Sequence, residues 1–348
     1  MDRRAPFGER LQAALLRQWW QDRPSLAAQC LRPLAWLYGA IVALRKSLFR
    51  RGWLRAEHAP VPLLVVGNLI AGGAGKTPTV IALVQALRDA GWTPGVISRG
   101  HGGQADGPQP VRPESQAAAV GDEPLLIRLR TGAPVWVGRR RARVAQALCA
   151  AEPQVDVIVA DDGLQHLALA RDAQVIVFDE RGAGNGLLQP AGPLREPLPT
   201  ALPPATQVLY NALAPSTRLP GALAQRRLAG AVALADWWRG ESASIATLDA
   251  LRGREVLAAA GLAAPERFFA MLEAVGLRIR RLPLPDHHDY AQAPWPAGTA
   301  DVLLTEKDAV KLRPAASGPR LWVVALDFRL PTDFVHAVLA LLGTPPTP

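Results

Sequence analysis

The sequence predicts an α/β protein: a parallel β-sheet flanked by helices, with a second, smaller α/β domain and a helical N-terminal segment. Three observations predict it. Short apolar runs alternate with helical stretches between residues 61 and 180, the pattern of a parallel sheet covered on both faces. A glycine-rich loop ending in Gly75-Lys76-Thr77 joins one such run to a helix. Another run, Val157-Ile158-Val159-Ala160, ends in the paired acids Asp161 and Asp162.

The first element, residues 8–57, reads as helical, basic and tryptophan-bearing. Trp19, Trp20, Trp36 and Trp53 lie among Arg17, Arg23, Arg32, Arg45, Lys46, Arg50, Arg51 and Arg55. Its most apolar part, Leu34 to Leu44, is too short to span a bilayer, which takes about 20 apolar residues. Two compatible readings stand. The segment lies in a membrane interface with its arginines on lipid phosphates, or it is an amphipathic helix packed on the domain.

Next, Val61 to Val66 reads as a buried strand, with Leu63–Val66 at its centre, and Val80 to Leu87 as a helix closed by Gly91. Strand, glycine loop, Lys-Thr and helix form a P-loop NTPase-like phosphate cradle. Glycines let backbone N–H groups turn toward an anion, and the helix N-terminus adds favourable partial charge. Gly72, Gly73, Ala74 and Gly75 would wrap the phosphates of a nucleotide. Lys76 would reach the outer ones and the Thr77 hydroxyl would ligate Mg²⁺. Where the standard pattern has its first glycine, this chain has Ile70, flanked by Gly67, Gly72 and Gly73.

Strand Gly95–Ser98 leads into Arg99-Gly100-His101-Gly102-Gly103; Ser98 and Arg99 are candidates to contact phosphate, with a solvated surface arginine as the plainer reading of Arg99. Gly121-Asp122-Glu123-Pro124 sits at a loop-to-helix boundary. Asp122 is either an N-cap with Pro124 in the first turn or a carboxylate facing the nucleotide. After strand Val135–Val137, Arg139, Arg140, Arg141 and Arg143 precede a helix, either neutralising an anionic substrate or solvated on the surface. Strand Val155–Ala160 delivers Asp161-Asp162-Gly163. One carboxylate would hold Mg²⁺ directly or through water and the second would orient it or a neighbouring base; the plainer reading is that they cap a strand-to-turn transition. Gln174–Phe178 is the last strand of this run. Ligands of such sheets bind at the carboxyl ends of the strands, and the motifs from Gly67 to Asp162 follow strands or lie in nearby loops.

Residues 181–205 are rich in Gly and Pro and read as a connecting loop able to act as a hinge. Beyond it, Gln207–Tyr210, Glu255–Ala259, Arg278–Arg281, Val302–Leu304 and Leu321–Ala325 read as strands of a smaller C-terminal domain, 206–348. Within it lies Pro285-Asp286-His287-His288-Asp289-Tyr290. Adjacent histidines suggest zinc, but a third ligand at characteristic spacing is missing. An acid/base partner is an equal reading, and a polar surface loop is a third.

The 348 residues suffice for one large or two ordinary domains, and a hydrophobic content of 49% argues against global disorder. A formal charge of +9 invites an anionic partner: nucleic acid, anionic lipid or a phosphorylated substrate. Of 39 basic residues only four are lysines: Lys46, Lys76, Lys307 and Lys311. So rare a residue placed in the glycine loop indicates a specific need there. Cys30 and Cys149 make no disulfide framework, and the first residues lack the apolar core of a signal peptide, so a reducing cytoplasm fits best.

Taken together the motifs resemble the tetraacyldisaccharide 4′-kinase family, the lipid A 4′-kinases of Gram-negative bacteria. The matching stretches are Val66-Gly67-Asn68 through Gly72-Gly73-Ala74-Gly75-Lys76-Thr77, Ser98-Arg99-Gly100, Gly121 to Pro124, Asp161-Asp162-Gly163-Leu164-Gln165-His166, Gly192 to Pro197, Asp286-His287-His288 and Thr305-Glu306-Lys307-Asp308. They span roughly residues 62 to 312, and the displaced first glycine is a habit of the family. The resemblance implies transfer of the γ-phosphate of ATP to the 4′-hydroxyl of tetraacyldisaccharide 1-phosphate, giving lipid IVA. It implies that Asp122 takes the hydroxyl proton with His287 assisting, that Lys76 serves phosphate, and that Thr77, Asp161 and Asp162 position Mg²⁺. Gln165 and His166 flank that site, Arg195 and Glu196 lie near the hinge, and a further arginine falls among Arg139 to Arg141. His101 stands where the family commonly has tyrosine. A tetraacyl substrate stays in the bilayer, which implies a peripheral enzyme on the cytoplasmic face of the inner membrane, with no obligate protein partner. Rival readings are a deviant P-loop ATPase acting as a nucleotide-driven switch and a nucleic-acid-associated P-loop protein; the sequence carries no nucleic-acid module.

Overall fold

A computed structural model describes residues 18–21, 23–100, 107–315 and 317–346. The expectations for residues 8–17 and for His101-Gly102-Gly103 lie outside the described residues. Helices α1 (Leu26–Cys30) and α2 (Arg32–Arg50) are followed by β1 (Leu63–Gly67), α3 (Lys76–Asp89), β2 (Pro94–Ser98), β3 (Gln109–Val111), α4 (Ala117–Val120), α5 (Asp122–Thr131), β4 (Val135–Val137), α6 (Arg141–Ala151), β5 (Val157–Asp161), β6 (Ala173–Asp179) and β7 (Thr206–Asn211). Then come β8 (Ala222–Leu223), β9 (Gln225–Ala233), α7 (Leu234–Trp238), α8 (Ile245–Asp249), β10 (Glu255–Ala260), α9 (Glu266–Ala274), β11 (Arg278–Pro283), β12 (Asp301–Thr305), α10 (Glu306–Ala309), β13 (Arg320–Arg329) and α11 (Thr332–Leu342).

The chain divides into two units. The first takes the described residues of Met1–Lys76, Asp162–Ala224 and Pro331–Thr344. Its strands run β1-β6-β7-β8 and pair in parallel. All five residues of β1 are buried, as are six of the seven in β6, which is why these strands are continuous apolar runs rather than alternating ones. Helix α11 packs on β6 and β7. The strand expected to open the C-terminal domain is therefore part of this sheet: β7 lies against β6, with Phe178 and Tyr210 stacked at 5.8 Å.

The expected connector at 181–205 also belongs to this unit and is firmly fastened. Ala71 N donates to Pro193 O at 2.8 Å and Arg195 N to Leu69 O at 2.8 Å, so residues 193–195 run alongside the glycine loop. Helix α2 carries an exposed apolar face made by Leu34, Trp36, Leu37, Ile41 and Leu44. Its inner side is tied down: the Tyr38 hydroxyl donates to Arg195 O at 2.8 Å, and Lys46 pairs with Glu196. Among the described residues no helix is long and apolar enough to cross a membrane.

The second unit takes the described residues of Thr77–Asp161, Gln225–Leu330 and Pro345–Pro348. It holds the strands β3-β4-β2-β5, parallel except for β3, and a five-stranded sheet ordered β11-β10-β12-β13-β9, parallel except for β9. In β10 the period of two is plain. Val256, Ala258 and Ala260 join Phe268, Phe269 and Leu272 of α9 on one face, while Leu257 and Ala259 join Tyr290, Val302 and Leu304 on the other. Burying each large side chain there contributes roughly 1.5–3 kcal/mol. Every strand read from the sequence is present; Val135–Val137 keeps both ends, and each of the others is shifted by one or more residues at one end or both. Strands β3, β8 and β9 are additions.

Candidate active site

The first unit builds the phosphate cradle from β1 outward. Asn68, fully buried at the end of β1, donates from Nδ2 to Gly72 O at 2.9 Å, and its Oδ1 lies 3.4 Å from Lys76 Nζ. One side chain thus shapes the loop and aims its lysine. Ile70 explains the displaced glycine. It is fully buried and bridges Leu194 in antiparallel fashion, so the position is a core residue held by residues 193–195 rather than a free turn. Gly75 needs to be glycine: its φ is +90°, and a Cβ there would fall 2.0 Å from the Asn211 amide nitrogen. Arg181 donates to the Gly73 carbonyl while its guanidinium lies 4.2 Å from the centre of the Trp20 ring, a loop support that sequence reasoning missed.

Around Lys76, itself 7% exposed, the same unit assembles most of the expected support. Asp162 adopts a left-handed φ of 49° and brings Oδ1 to 3.6 Å from Lys76 Nζ and 3.1 Å from Arg195 Nη1. That backbone conformation is uncommon for a residue with a Cβ, and aspartate is among those that tolerate it. Gln165 links the pieces: its amide donates to Asn68 O at 3.2 Å and Glu196 Oε1 at 2.9 Å, and its carbonyl accepts from Arg195 at 3.3 Å. His166 enters through its backbone carbonyl, which accepts from Arg171 at 3.3 Å.

The second unit holds Thr77, in the first turn of α3, and Asp161, 1% exposed at the end of β5. Asp161 Oδ2 accepts from the Ser98 hydroxyl at 3.2 Å. Of the arginines after β4, the buried one is Arg141, donating to Asp161 O at 2.8 Å; Arg139 and Arg140 are exposed. Arg99 is also exposed. Thr77 and Asp161 in this unit, and Asp162 in the first, each offer hard oxygen donors, the chemistry that suits Mg²⁺.

Asp122 lies in the same second unit, and the N-cap alternative for it is not realised. Gly121, at φ 92°, caps α5, and Asp122 is the first helical residue. Its carboxylate meets His287 instead, with Nδ1 at 2.9 Å from Oδ2 and 3.1 Å from Oδ1. His287 is held in a left-handed conformation at φ 59°. The two adjacent histidines diverge: His288 packs edge-on against Tyr290 at 4.8 Å. Among the described residues no group of three or more His, Cys, Asp or Glu is arranged to hold a metal, so the zinc reading gives way to the acid/base one.

Two lysines close the cluster. Lys307 Nζ lies 3.1 Å from Glu123 Oε1, 3.2 Å from Asp286 Oδ1 and 3.4 Å from His287 Nε2. Lys311 Nζ lies 3.5 Å from Asp122 Oδ2 and 3.3 Å from Asp308 Oδ1. Burial alone would raise the pKa of Asp122; the hydrogen bond from His287 and the charges of Lys307, His287 and Lys311 outweigh it and hold the carboxyl at about 2. The same hydrogen bond raises His287 above its usual value, with burial and Lys307 opposing. This is an ionised carboxylate, oriented by an imidazole and enclosed by cations. It is charged at neutral pH, the state from which a carboxylate is able to take up a proton.

The family model for tetraacyldisaccharide-1-P 4′-kinase (LpxK) matches residues 27–343 of this chain. The tetraacyldisaccharide 4′-kinase of Methylibium petroleiphilum is 57% identical over 341 residues, covering 96% of this chain and 95% of that protein. That of Leptothrix cholodnii is 53% identical over 335 residues, covering 95% and 96%. A crystal structure of LpxK from Aquifex aeolicus in complex with ATP has a TM-score of 0.73 and 25% identity, covering 91% of this chain and 100% of that one. A match of this extent and identity, on a chain that builds the phosphate loop and the Asp122–His287 pair, leads to one conclusion: the chain belongs to the tetraacyldisaccharide-1-P 4′-kinase family.

Proposed function

We propose that this chain is an ATP-dependent kinase that transfers the γ-phosphate to the 4′-hydroxyl of a tetraacyldisaccharide 1-phosphate, forming lipid IVA in lipid A biosynthesis. The observation that carries the reading is the Asp122–His287 pair at 2.9 Å, built in a chain 57% identical to a protein named for that reaction. A switch that only hydrolyses its nucleotide has no need of a carboxylate oriented to take a proton from an alcohol.

Asp122 accepts the hydroxyl proton as the oxygen bonds to the γ-phosphorus, and the bond from phosphorus to the bridging oxygen breaks with its electron pair leaving on ADP. A carboxylate as weakly basic as Asp122 takes that proton late, once bonding to phosphorus has made the hydroxyl strongly acidic. Lys76 neutralises charge on the outer phosphates. Thr77, Asp161 and Asp162 would hold Mg²⁺, which when bound offsets charge on the phosphate oxygens. Arg195, Gln165 and Glu196 keep Asp162 oriented, and Ser98 does the same for Asp161.

The test is an assay with purified protein, Mg²⁺-ATP and the disaccharide 1-phosphate lipid in detergent, read by thin-layer separation. A new phosphorylated lipid is expected. ATP hydrolysis with no phosphorylated lipid would sink the reading and favour the nucleotide-driven switch.

On this reading the enzyme works at the cytoplasmic face of the inner membrane, where its acylated substrate lies, bound peripherally through α2. Leu37 and Ile41 of its apolar face are 60% and 57% exposed, and Arg45, Arg50 and Arg51 sit at its C-terminal end. Apolar side chains at acyl depth and arginines on lipid phosphates make an interfacial anchor. Replacing Leu37 and Ile41 together by glutamate is expected to lower partition onto anionic vesicles by at least about tenfold, since each buried side chain of this size is worth roughly 1.5–3 kcal/mol. Sedimentation with vesicles checks it, and unchanged partition removes the anchor.

A further inference from the structure

Helix α2 faces two ways. Between Leu34 and Lys46 the positions drawn away from solvent are Ala35, Tyr38, Gly39, Val42 and Lys46, and every other position is exposed. Their spacing of i, i+3, i+4, i+7 and i+11 puts them on one side of the helix. The exposed side is the one assigned above to the membrane. The inner side grips residues 195 and 196, in the strip that runs alongside the glycine loop.

The grip has two points, and both lead to Arg195. The Tyr38 hydroxyl donates to the Arg195 carbonyl at 2.8 Å, while the Arg195 amide donates to Leu69 O at 2.8 Å. The backbone of Arg195 is thus pinned between α2 and the start of the glycine loop. Lys46 pairs with one carboxylate oxygen of Glu196, and the other accepts from the Gln165 amide at 2.9 Å. The Gln165 carbonyl in turn accepts from the Arg195 guanidinium at 3.3 Å. Tyr38 fixes the main chain of Arg195, and Lys46 fixes its side chain through two intermediaries.

We propose that Tyr38 and Lys46 are positioning residues for nucleotide binding: from the helix with the exposed apolar face they fix Arg195 where it draws Asp162 away from Lys76. Asp162 Oδ1 lies 3.1 Å from Arg195 Nη1 and 3.6 Å from Lys76 Nζ, so one carboxylate is divided between two cations. With Arg195 fixed, the guanidinium takes the larger share and the ammonium keeps its field for phosphate. With Arg195 loosened, Asp162 closes on Lys76, and an incoming phosphate meets a neutralised lysine beside an anion. Helix α2 is then part of the phosphate site as well as an anchor.

This role rests on the nucleotide-binding part of the kinase reading and is independent of the acceptor, so its tests use no lipid. Hydrogen exchange of the full chain, read by mass spectrometry on peptides spanning 69–77 and 192–198, needs no nucleotide either. Tyr38→Phe removes only the hydroxyl and is expected to speed exchange in both peptides by about threefold or more, the lower end of what one hydrogen bond supplies. Titration with Mg²⁺-ATP is expected to show affinity weakened about three- to tenfold in Tyr38→Phe and in Lys46→Gln. A double-mutant cycle separates positioning from general loosening. In an Arg195→Met background Tyr38→Phe is expected to weaken ATP no further, because the residue it acts through is gone. Asp162→Asn serves as the background if Arg195→Met does not fold, since it removes the charge being divided. Unchanged exchange in Tyr38→Phe, wild-type ATP affinity in either single variant, or full additivity in the cycle would overturn the role. A chain that binds ATP as expected yet phosphorylates no lipid refutes the kinase reading and leaves the role of α2 standing. A wild-type chain that binds no Mg²⁺-ATP refutes both.

Discussion

Lys76→Ala is expected to lower lipid phosphorylation by about 10²- to 10³-fold, the cost of removing one preorganised charge from a transferring phosphoryl group. The ammonium sits in a loop whose shape is set independently of it, by Asn68 on the Gly72 carbonyl and by Arg181 on the Gly73 carbonyl. The variant should therefore keep its fold. Its neighbour Asp162 is not stranded either, because Arg195 lies closer to the same carboxylate oxygen, at 3.1 Å against 3.6 Å. The loss should appear in kcat and in KM for ATP together, with a thermal midpoint within a few degrees of wild type. Lys76→Arg should not restore turnover, since a planar fork on a longer stem does not reproduce a compact point charge in a buried niche. Steady-state kinetics at saturating lipid checks this, and wild-type turnover in the alanine variant would refute the role of Lys76.

What the sequence disclosed depended on range. Strands buried on both faces are continuous apolar runs, so β1, β5 and β6 were legible at once. Strand β9 was not: it opens with Gln225-Arg226-Arg227, continues through alanine and glycine, and is buried at only three of its nine positions. The phosphate loop was legible because all its chemistry lies within a dozen residues. Asp122 and His287 are 165 residues apart, and no local pattern pairs them; resemblance to a family did so, and the fold supplies the contact. The register of the buried arginine was likewise invisible in a run of arginines until burial singled out Arg141.

One signal was present and only partly used. The lysines are so few that each invites a question, and all four stand in ion pairs: Lys46 with Glu196, Lys76 with Asp162, Lys307 with Glu123 and Asp286, Lys311 with Asp122 and Asp308. In a chain that otherwise takes its positive charge from arginine, lysine persists where a compact ammonium is needed.

Asp122→Asn is expected to reduce kcat by about 10²- to 10⁴-fold, the span of a lost general base, with KM for ATP changed by less than about threefold. The amide keeps the shape and can still accept from His287 Nδ1, but it cannot take the hydroxyl proton. The surroundings tolerate the change. Lys311 keeps Asp308 at 3.3 Å, and Lys307 keeps Glu123 and Asp286, so no buried cation is left without a carboxylate. Stability should respond to pH in a particular way. Asp122 is held at about 2 against an ordinary 3.8, so the carboxylate stabilises the fold by about 2 kcal/mol above pH 3.8, and this is lost as pH falls toward 2. His287 runs the other way. Its raised pKa stabilises the fold below its ordinary 6.5, and that contribution fades as pH rises through the raised value. The two belong to one coupled pair, so the gap between wild type and variant in denaturant unfolding should be widest between pH 3.8 and 6.5 and narrow on both sides. A variant that loses ATP affinity while keeping kcat would contradict the base assignment, because a carboxylate that acts only on the incoming alcohol leaves nucleotide binding intact.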